Sequence, residues 1–435
     1  MKISLFQGIL IGVFGLGALI GLFVFATYSS NPGGGGGVGT VVIWGTLPKE
    51  QINATLTTVA QVDTSLKNVS YMQKDATTLP TDLAAAIATG SAPDLVLASQ
   101  EELHALAKFL MPIPTGTLPQ STFTTTFVDE GGLFTTPNSA GYYGIPFLVD
   151  PLVLFWNNNI LSSSGIANPP ATWEALTGLV PNVAVLTPTK QIRRGLIAIG
   201  TYDNVHNARG ILSALFLQTG VPLSGYSSSG VFVADLGETA SGGVPSGQAV
   251  LGFYTQFADP SKVSYTWNGS LPESQQAFAN GDVALYLGYA SEARLFAAAN
   301  PNLNFNVAPL PQPATAAVKS TYGLVYAFMI PRSAKNSAGA YQAAALLTNS
   351  AEQDIAARAT GLAPAVRSVL ASPPSDAIAT VAYSSALYAR GWLSPPPLDT
   401  DSVFSSMIGN VVSGRLAPDA ALSRAAGSLT SLLQQ

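Results

Sequence analysis

The sequence contains no cysteine and only two histidines, His104 and His206. The absence of cysteine excludes disulfides, thiolate metal sites and a cysteine nucleophile. The histidines lack metal-ligand spacing, so we expect no metal and no cofactor. Charged residues make up 10% of the chain, against about 25% in soluble proteins, and the net charge is -5. This acidic balance argues against a nucleic-acid partner.

A long uncharged run opens the chain. No charged residue lies between Lys2 and Lys49. Residues 3–28, as a helix rising about 1.5 Å per residue, would span a hydrocarbon layer of about 30 Å. The run predicts an uncleaved N-terminal transmembrane helix over residues 1–30, with a cytoplasmic N-terminus because of Lys2. A cleaved signal peptide and a buried core helix are the alternatives.

A glycine-rich stretch follows this run. Residues 31–39 include the sequence "GGGGGVG". Because glycine holds no single conformation cheaply, we expect a flexible tether between the membrane and the folded chain. The predicted location is therefore the cell membrane, single-pass, with the folded part on the extracytoplasmic side.

Strands and helices alternate after the tether. The segments "TVVIWG", "NVSYMQK" and "LVLA" have strand character, and helical patterns separate them. This order predicts an α/β sheet with parallel neighbours. Ligands of such sheets bind beyond the carboxyl ends of the strands. That rule indicates Trp44, Thr46 and Glu101 as candidate site residues, although Trp44 is also suited to the core.

Six segments of the chain, in order, carry the strongest sequence signal. They are "GSAPDLVLAS", "YYGIPFLVDPLVLFWNNNIL", "NPPATWEAL", "AFANGDVALYLGYASEA", "YGLVYAFMIPRSAKNSAGAYQAAALLTNSAEQDIAARATGLAPAVRSVL" and "VVSGRLAPDAALSRAAGSL". Together they resemble the family 1 extracellular solute-binding proteins of ABC importers, the maltose- and oligosaccharide-binding type. The family's lipid-bearing cysteine is missing, and the uncharged N-terminal run stands in its place.

The resemblance implies an α/β, two-lobed periplasmic-binding-protein-like fold with a hinge and an interlobe cleft. The chain is expected to cross between the lobes near residues 148–151, 284–286 and 325–328. The implied division is lobe 1 at 40–149 with 284–327, and lobe 2 at 150–283 with 328–435.

The resemblance also implies ligand contacts in the cleft. Tyr289 follows a glycine at a strand end, where relatives often place an aromatic that stacks on a sugar. Asp150 and Tyr322 lie at the first and third expected crossings. Trp267 and Trp392 are aromatics in loop-like contexts. For each of these residues, ordinary packing or a hinge-capping role is the alternative to ligand contact.

The function implied is that of a binding protein rather than an enzyme, with no catalytic residues. It would capture a small solute, a sugar or oligosaccharide, by hinge closure and deliver it to an ABC permease. We expect a monomer. Two alternatives remain open at this point: a surface sensor module without transport, and a cell-surface glycoside hydrolase with two cleft carboxylates.

Overall fold

Fifteen strands and sixteen α-helices form the described part of the chain, residues 37–227, 230–237 and 246–435 of a computed structural model. The strands are β1 (Val41–Gly45), β2 (Val69–Gln73), β3 (Leu95–Ser99), β4 (Ile113–Pro114), β5 (Gly141–Tyr142), β6 (Gly144–Asn157), β7 (Val185–Leu186), β8 (Ile192–Ile197), β9 (Leu223–Tyr226), β10 (Phe232–Asp235), β11 (Val283–Tyr289), β12 (Phe305–Pro309), β13 (Thr321–Met329), β14 (Ala363–Pro364) and β15 (Ala389–Arg390).

The helices lie between and after these strands. They are α1 (Lys49–Val62), α2 (Leu79–Ala88), α3 (Gln100–Leu106), α4 (Gln120–Thr126), α5 (Asn158–Ser163), α6 (Trp173–Val183), α7 (Ala208–Gln218), α8 (Ser246–Thr255), α9 (Ser274–Asn280), α10 (Glu292–Ala299), α11 (Ser337–Leu347), α12 (Ser350–Thr360), α13 (Arg367–Leu370), α14 (Ala377–Ala386), α15 (Pro397–Val412) and α16 (Pro418–Leu433). Within the described ranges, no helix is both long and apolar enough to span a membrane.

One large sheet of 11 strands runs through the fold, and β4-β5 and β9-β10 form two separate two-stranded sheets. The strand order of the large sheet is β2-β1-β3-β13-β6-β11-β8-β7, with β12 and β14 on β6 and β15 on β13. The strands β1, β2 and β3 are parallel, as their alternation with helices predicts. The central strand β6 has 14 residues and is buried at nearly every one. A strand buried on both faces needs apolar residues at consecutive positions, which explains its nearly continuous apolar sequence.

Two separate hydrophobic cores divide the chain into two lobes. One core, which defines lobe 1, is built around β1, β2 and β3 and the first half of β6. The other, which defines lobe 2, is built around the second half of β6 together with β8 and β11. The predicted two-lobed α/β fold is thereby confirmed.

Three segments pass from one core to the other. The strand β6 passes between Val149 and Leu152, and β13 passes between Tyr322 and Val325. The third segment includes β15 and leads to Trp392 in the lobe 2 core. We call these three segments the hinge. Two of them lie at or next to the predicted crossings, whereas the crossing predicted at 284–286 is wrong.

The predicted return segments of the lobes differ from the observed packing. The segment 284–327 was expected in lobe 1, yet β11 pairs with β6 at Leu152–Trp156 and with β8, inside lobe 2. The segment 328–435 was expected in lobe 2, yet α11 and α12 pack in the lobe 1 core. Because both cores contain buried, apolar strands, the composition of a strand does not reveal which core it joins.

The N-terminal boundary of the folded chain also differs from the prediction. The expected transmembrane helix over 1–30, and the tether up to residue 36, lie outside the described residues. The end of the predicted tether, however, belongs to lobe 1: Val38 is buried, and its backbone N–H donates to the Ser65 carbonyl at 3.2 Å. The Asn336 amide donates to the Val38 carbonyl at 2.9 Å. The apolar Val38 side chain and its paired backbone explain why it joins the core.

Candidate functional site

Four of the residues indicated by the sequence meet between the lobes. Tyr322, on the hinge strand β13, is 0% exposed in the lobe 2 core and donates its hydroxyl to Glu101 Oε1 at 2.6 Å, so its predicted ligand contact stays a prediction. Tyr289 ends β11, and burial together with the charge of Glu101 raises the pKa of its hydroxyl well above the ordinary value. Asp150, in the hinge part of β6, accepts a hydrogen bond from the Ser291 backbone at 3.1 Å. We call Glu101, Asp150, Tyr289 and Tyr322 the cleft cluster.

Lobe 1 contributes to the cleft cluster through the start of α3. Ser99 ends β3 and caps this helix, and the carboxylate of Glu102 accepts the Ser99 backbone N–H at 2.8 Å. Such a capping box sets the direction in which the chain enters the helix. Gln100 then joins α3 to the hinge, because its amide donates to the Gly323 carbonyl at 3.0 Å and accepts from the Val325 N–H at 2.8 Å. Glu101 is therefore held at the carboxyl edge of the lobe 1 sheet.

Lobe 2 contributes Tyr289 and the start of α7. A Cβ atom placed on Gly210 would lie 2.6 Å from the Tyr289 hydroxyl oxygen, so the ring packs directly on the helix backbone where a side chain is absent. The charge of Asp150 also acts on Tyr289. Burial, as the largest cause, raises the pKa of Asp150 to about 7. A carboxyl group of this kind is neutral or ionised near physiological pH, and either form accepts hydrogen bonds from hydroxyl groups.

Arg209 joins the cleft cluster although the sequence reasoning missed it. Its guanidinium contacts Glu101 twice, from Nη2 to Oε2 at 2.7 Å and from Nε to Oε1 at 3.2 Å. Its Nη1 lies 2.6 Å from Asp401 Oδ2. Burial acts to lower the pKa of Arg209, but the two carboxylates raise it well above the ordinary value. Nothing in the local sequence "VHNARG" distinguishes this arginine, since both of its carboxylate partners are distant along the chain.

The remaining lobe 1 candidates lie at the same edge of the sheet, with contacts inside their own lobe. Trp44 is half-buried, and the Lys74 ammonium lies 4.0 Å from the centroid of its ring. Thr46 is also half-buried, and its backbone N–H donates to the Leu97 carbonyl at 3.1 Å. A ligand contact by either residue stays a prediction.

A family model described as a bacterial extracellular solute-binding protein matches residues 61–382, more than half of the chain. The chain belongs to this family. The membership expected from the six sequence segments is thereby confirmed. A search among curated proteins returned no match.

Solved structures with the same fold include sugar-binding proteins. A cyclic α-maltosyl-1,6-maltose binding protein from Arthrobacter globiformis is 16% identical, with a TM-score of 0.72 over 91% of this chain and 99% of that one. An ABC transporter solute-binding protein from Thermotoga lettingae, bound with α-D-tagatose, is 21% identical, with a TM-score of 0.66 over 91% and 99%. A maltose/maltodextrin-binding domain from Bdellovibrio bacteriovorus, bound to maltotriose, is 16% identical, with a TM-score of 0.66 over 91% and 100%. At these identities the likeness shows the fold alone.

Two tryptophans predicted to contact a ligand belong to the lobe 2 core of this solute-binding protein. Trp267 is 1% exposed, and its indole N–H has no hydrogen-bond partner among the described residues. Trp392 is 2% exposed, donates to Ser213 Oγ at 3.0 Å and stacks on Phe404. Their loop-like sequence contexts suggested access to the cleft, but the rings turn inward and are surrounded by the core. The predicted ligand contacts of Trp267 and Trp392 are therefore corrected to packing.

A buried carboxyl group beside the hinge was also missed. Glu130 is 2% exposed, and neither carboxyl oxygen has a hydrogen-bond partner among the described residues. A Cβ on Gly323 or on Gly391 would come within 2.8 Å of this carboxyl group, so both hinge glycines leave room for it. Burial raises the pKa of Glu130 to about 8, and the charge of Arg390 offsets only part of that effect. The local sequence "FVDEGGLF" carries no sign of this burial.

The solute-binding protein should become less stable as pH rises from about 5 to 8. In this range the folded protein keeps the Glu130 proton that the unfolded chain releases, so the free energy of unfolding falls by up to about 1.4 kcal/mol per pH unit. The Glu130→Gln variant should lose this contribution and exceed the wild type in stability at pH 9. Urea unfolding at pH 5, 7 and 9 measures the difference.

Exposed Glu50 provides the matched control for this prediction, because the Glu50→Gln change leaves the buried carboxyl group in place. Glu102 and Asp150 have pKa values raised to about 7, chiefly by burial, and add a slope of the same sign. Some pH dependence should therefore remain in Glu130→Gln. An unchanged difference between this variant and the wild type from pH 5 to pH 9 would contradict the assigned role of Glu130.

Within the described ranges, no group of three or more histidine, aspartate and glutamate side chains is arranged to hold a metal ion. The carboxylates of the cleft cluster are engaged otherwise: Glu101 by Arg209 and Tyr322, and Asp150 by the backbone of Ser291. These partners occupy both carboxylates, and Tyr289 is the one half-buried side chain of the cleft cluster.

Proposed function

We propose that this protein captures a sugar or oligosaccharide between its lobes by hinge closure and delivers it to an ABC permease. The proposal is supported by the position of the cleft cluster, two tyrosines and two carboxyl groups, between the two hydrophobic cores. Binding sites prefer the boundary between domains, where aromatic side chains and a few polar groups converge. A sugar offers hydroxyl groups to such carboxylates and apolar ring faces to such aromatics.

Hinge closure is supported by the three segments that join the lobes. Motion about a few strand-end residues is the usual way in which binding proteins with two lobes enclose a ligand. The sugars bound in the similar structures, maltotriose and α-D-tagatose among them, are the first ligands to test. Delivery to a permease, rather than a sensory role, is inferred from the family.

A thermal-shift screen tests the proposed ligand class. The purified protein is heated with maltotriose, maltotetraose, mannobiose or D-tagatose, and with glycine, glutamate and phosphate as comparison solutes. At 100 times its dissociation constant a ligand stabilises the folded state by about 2.7 kcal/mol, so a bound sugar should raise the melting temperature by several degrees. A shift with an amino acid or phosphate, and with none of the sugars, would contradict the proposal.

We also propose that residues 1–30 anchor the protein in the cell membrane. The uncharged run between Lys2 and Lys49 and the absence of a lipid-accepting cysteine support this. Full-length protein should remain in the membrane fraction after an alkaline wash and keep its N-terminus, whereas a chain beginning at residue 31 should be released. Recovery of a soluble mature form that starts near residue 29 would instead support cleavage.

A further inference from the structure

We propose that Glu101 and Arg209 form an ion-pair latch that allows the lobes to close before any ligand binds, because Arg209 neutralises the charge that closure buries on Glu101. Asp401 and Tyr322 are the positioning residues of this latch. The inference rests on the hinge closure of the proposed function, but it concerns the equilibrium of the protein itself and not the identity of the solute.

The latch spans the two lobes. Glu101 lies on α3, whose Leu103 is in the lobe 1 core, and Arg209 lies on α7, whose Ile211 is in the lobe 2 core. The guanidinium meets the carboxylate through two nitrogen–oxygen contacts, at 2.7 and 3.2 Å. Paired contacts of this kind are stronger and more strictly oriented than single ones. The two contacts are broken when α3 and α7 move apart with their lobes.

Each half of the latch is held in place within the protein. In lobe 2, Asp401 on α15 contacts Arg209 Nη1 at 2.6 Å, and the Tyr202 hydroxyl donates to the other oxygen of Asp401. Tyr322, whose ring lies in the lobe 2 core, donates its hydroxyl to Glu101 Oε1 at 2.6 Å, so this bond also crosses between the lobes. When the lobes separate, Arg209 keeps the Asp401 carboxylate, whereas Glu101 leaves both of its partners and becomes accessible to water. The latch can therefore open without leaving an unpaired charge buried.

Burial distinguishes the latch from the peripheral contacts between the lobes. The side chains of Glu101 and Arg209 are only 4% and 21% exposed, so salt screens their attraction weakly. Arg294, which is exposed, reaches from α10 to the carbonyls of Arg358 and Ala359 at the end of α12. The His104 and Phe232 rings stack at a centroid distance of 6.3 Å. Of these three contacts, only the latch pairs two opposite charges in a buried position.

Removal of Arg209 should open the lobes because Glu101 would then be a buried carboxylate without its cation. Breaking a buried pair on one side is strongly unfavourable, whereas removal of both charges is close to neutral. The Arg209→Met variant should therefore shift the equilibrium toward the open form by at least about tenfold. The double variant Arg209→Met/Glu101→Gln should recover closure, since the buried carboxylate is gone and Asp401, which is 38% exposed, keeps the Tyr202 hydroxyl.

Distance measurement between spin labels tests the latch without a ligand. The chain has no cysteine, so Val62→Cys on lobe 1 and Val263→Cys on lobe 2, both at exposed positions, can be labelled selectively in the full-length protein. The labelled parent should show mainly one short distance. Arg209→Met should add a longer one, and the double variant should restore the short one. Arg193→Met, at an exposed position on β8, is the matched control and should leave the distribution unchanged.

Three results would overturn the latch. The first is a labelled parent that is mainly open, and the second is an Arg209→Met protein that keeps the parent distribution. The third is a double variant that stays as open as Arg209→Met. Circular dichroism verifies that each variant folds. If Arg209→Met does not fold, the double variant decides the test. A folded and closed double variant supports the latch, and an unfolded or open one overturns it. The distance measurement uses no solute, so a negative sugar screen would not contradict the latch. Likewise, failure of the latch would not contradict sugar binding.

Discussion

Replacement of Tyr289 by alanine should weaken binding of the preferred sugar by at least about 30-fold. The ring lies between the lobes, with its hydroxyl against the backbone at Gly210 and within the field of Glu101 and Asp150. An aromatic ring at the centre of a binding site commonly contributes about 2 kcal/mol or more on truncation. The unliganded protein should lose little stability, because the half-buried ring borders a cleft that becomes wet when the lobes separate.

Two measurements on each variant decide this prediction: sugar affinity by calorimetry and urea unfolding without sugar. The Tyr289→Phe variant is the matched control, because it keeps the ring face and removes only the hydroxyl group. It should therefore retain most of the affinity that Tyr289→Ala loses. Unchanged affinity together with a large loss of stability in Tyr289→Ala would assign Tyr289 to the core and leave Asp150 as the better ligand contact.

Replacement of Trp267 by alanine should have the opposite profile. The ring is 1% exposed in the lobe 2 core, and truncation of such a ring removes buried apolar area and leaves a cavity. The free energy of unfolding should fall by about 3–5 kcal/mol. Sugar affinity, measured at a temperature where the variant is folded, should change little because the indole does not border the cleft cluster.

The Trp267→Phe variant separates packing from the polar group of the indole. The indole N–H has no partner among the described residues, so its removal leaves no buried acceptor unsatisfied. Phenylalanine keeps much of the apolar volume and should be considerably more stable than alanine at this position. Retained stability in Trp267→Ala, with a large loss of affinity, would instead restore the ligand contact expected from the sequence.

For part of the site, the sequence predicts which residues lie at the end of a strand. The alternation of strands and helices after residue 40 places Glu101 directly beyond β3, and the segment "DVALYLGY" places Tyr289 at the end of β11. These strand ends are properties of short segments, which depend on periodicity, capping and turn residues within about ten positions. The crossing that the family resemblance implies at residues 148–151 places Asp150 in the hinge part of β6.

Partners that lie far apart along the chain could not be predicted in the same way. Arg209 is 108 residues from Glu101 and 192 from Asp401, and no local pattern records these distances. The buried carboxyl of Glu130 depends on the close approach of Gly323 and Gly391, which belong to two other segments of the hinge. For the same reason, the assignments of Trp267 and Trp392 needed the observed core.

The sequence by itself determined the family, the α/β class and the positions of Glu101 and Tyr289 at strand ends. The crossings implied by the family resemblance placed Asp150 and Tyr322 near the hinge. Only the tertiary structure decided which lobe each return segment joins and that Arg209 lies between Glu101 and Asp401. The physical reason is that both lobes bury similar apolar strands. Local hydrophobicity therefore predicts that a strand is buried but not which core it joins. Pairing is determined by the assembly of distant segments around β6, which passes through both cores.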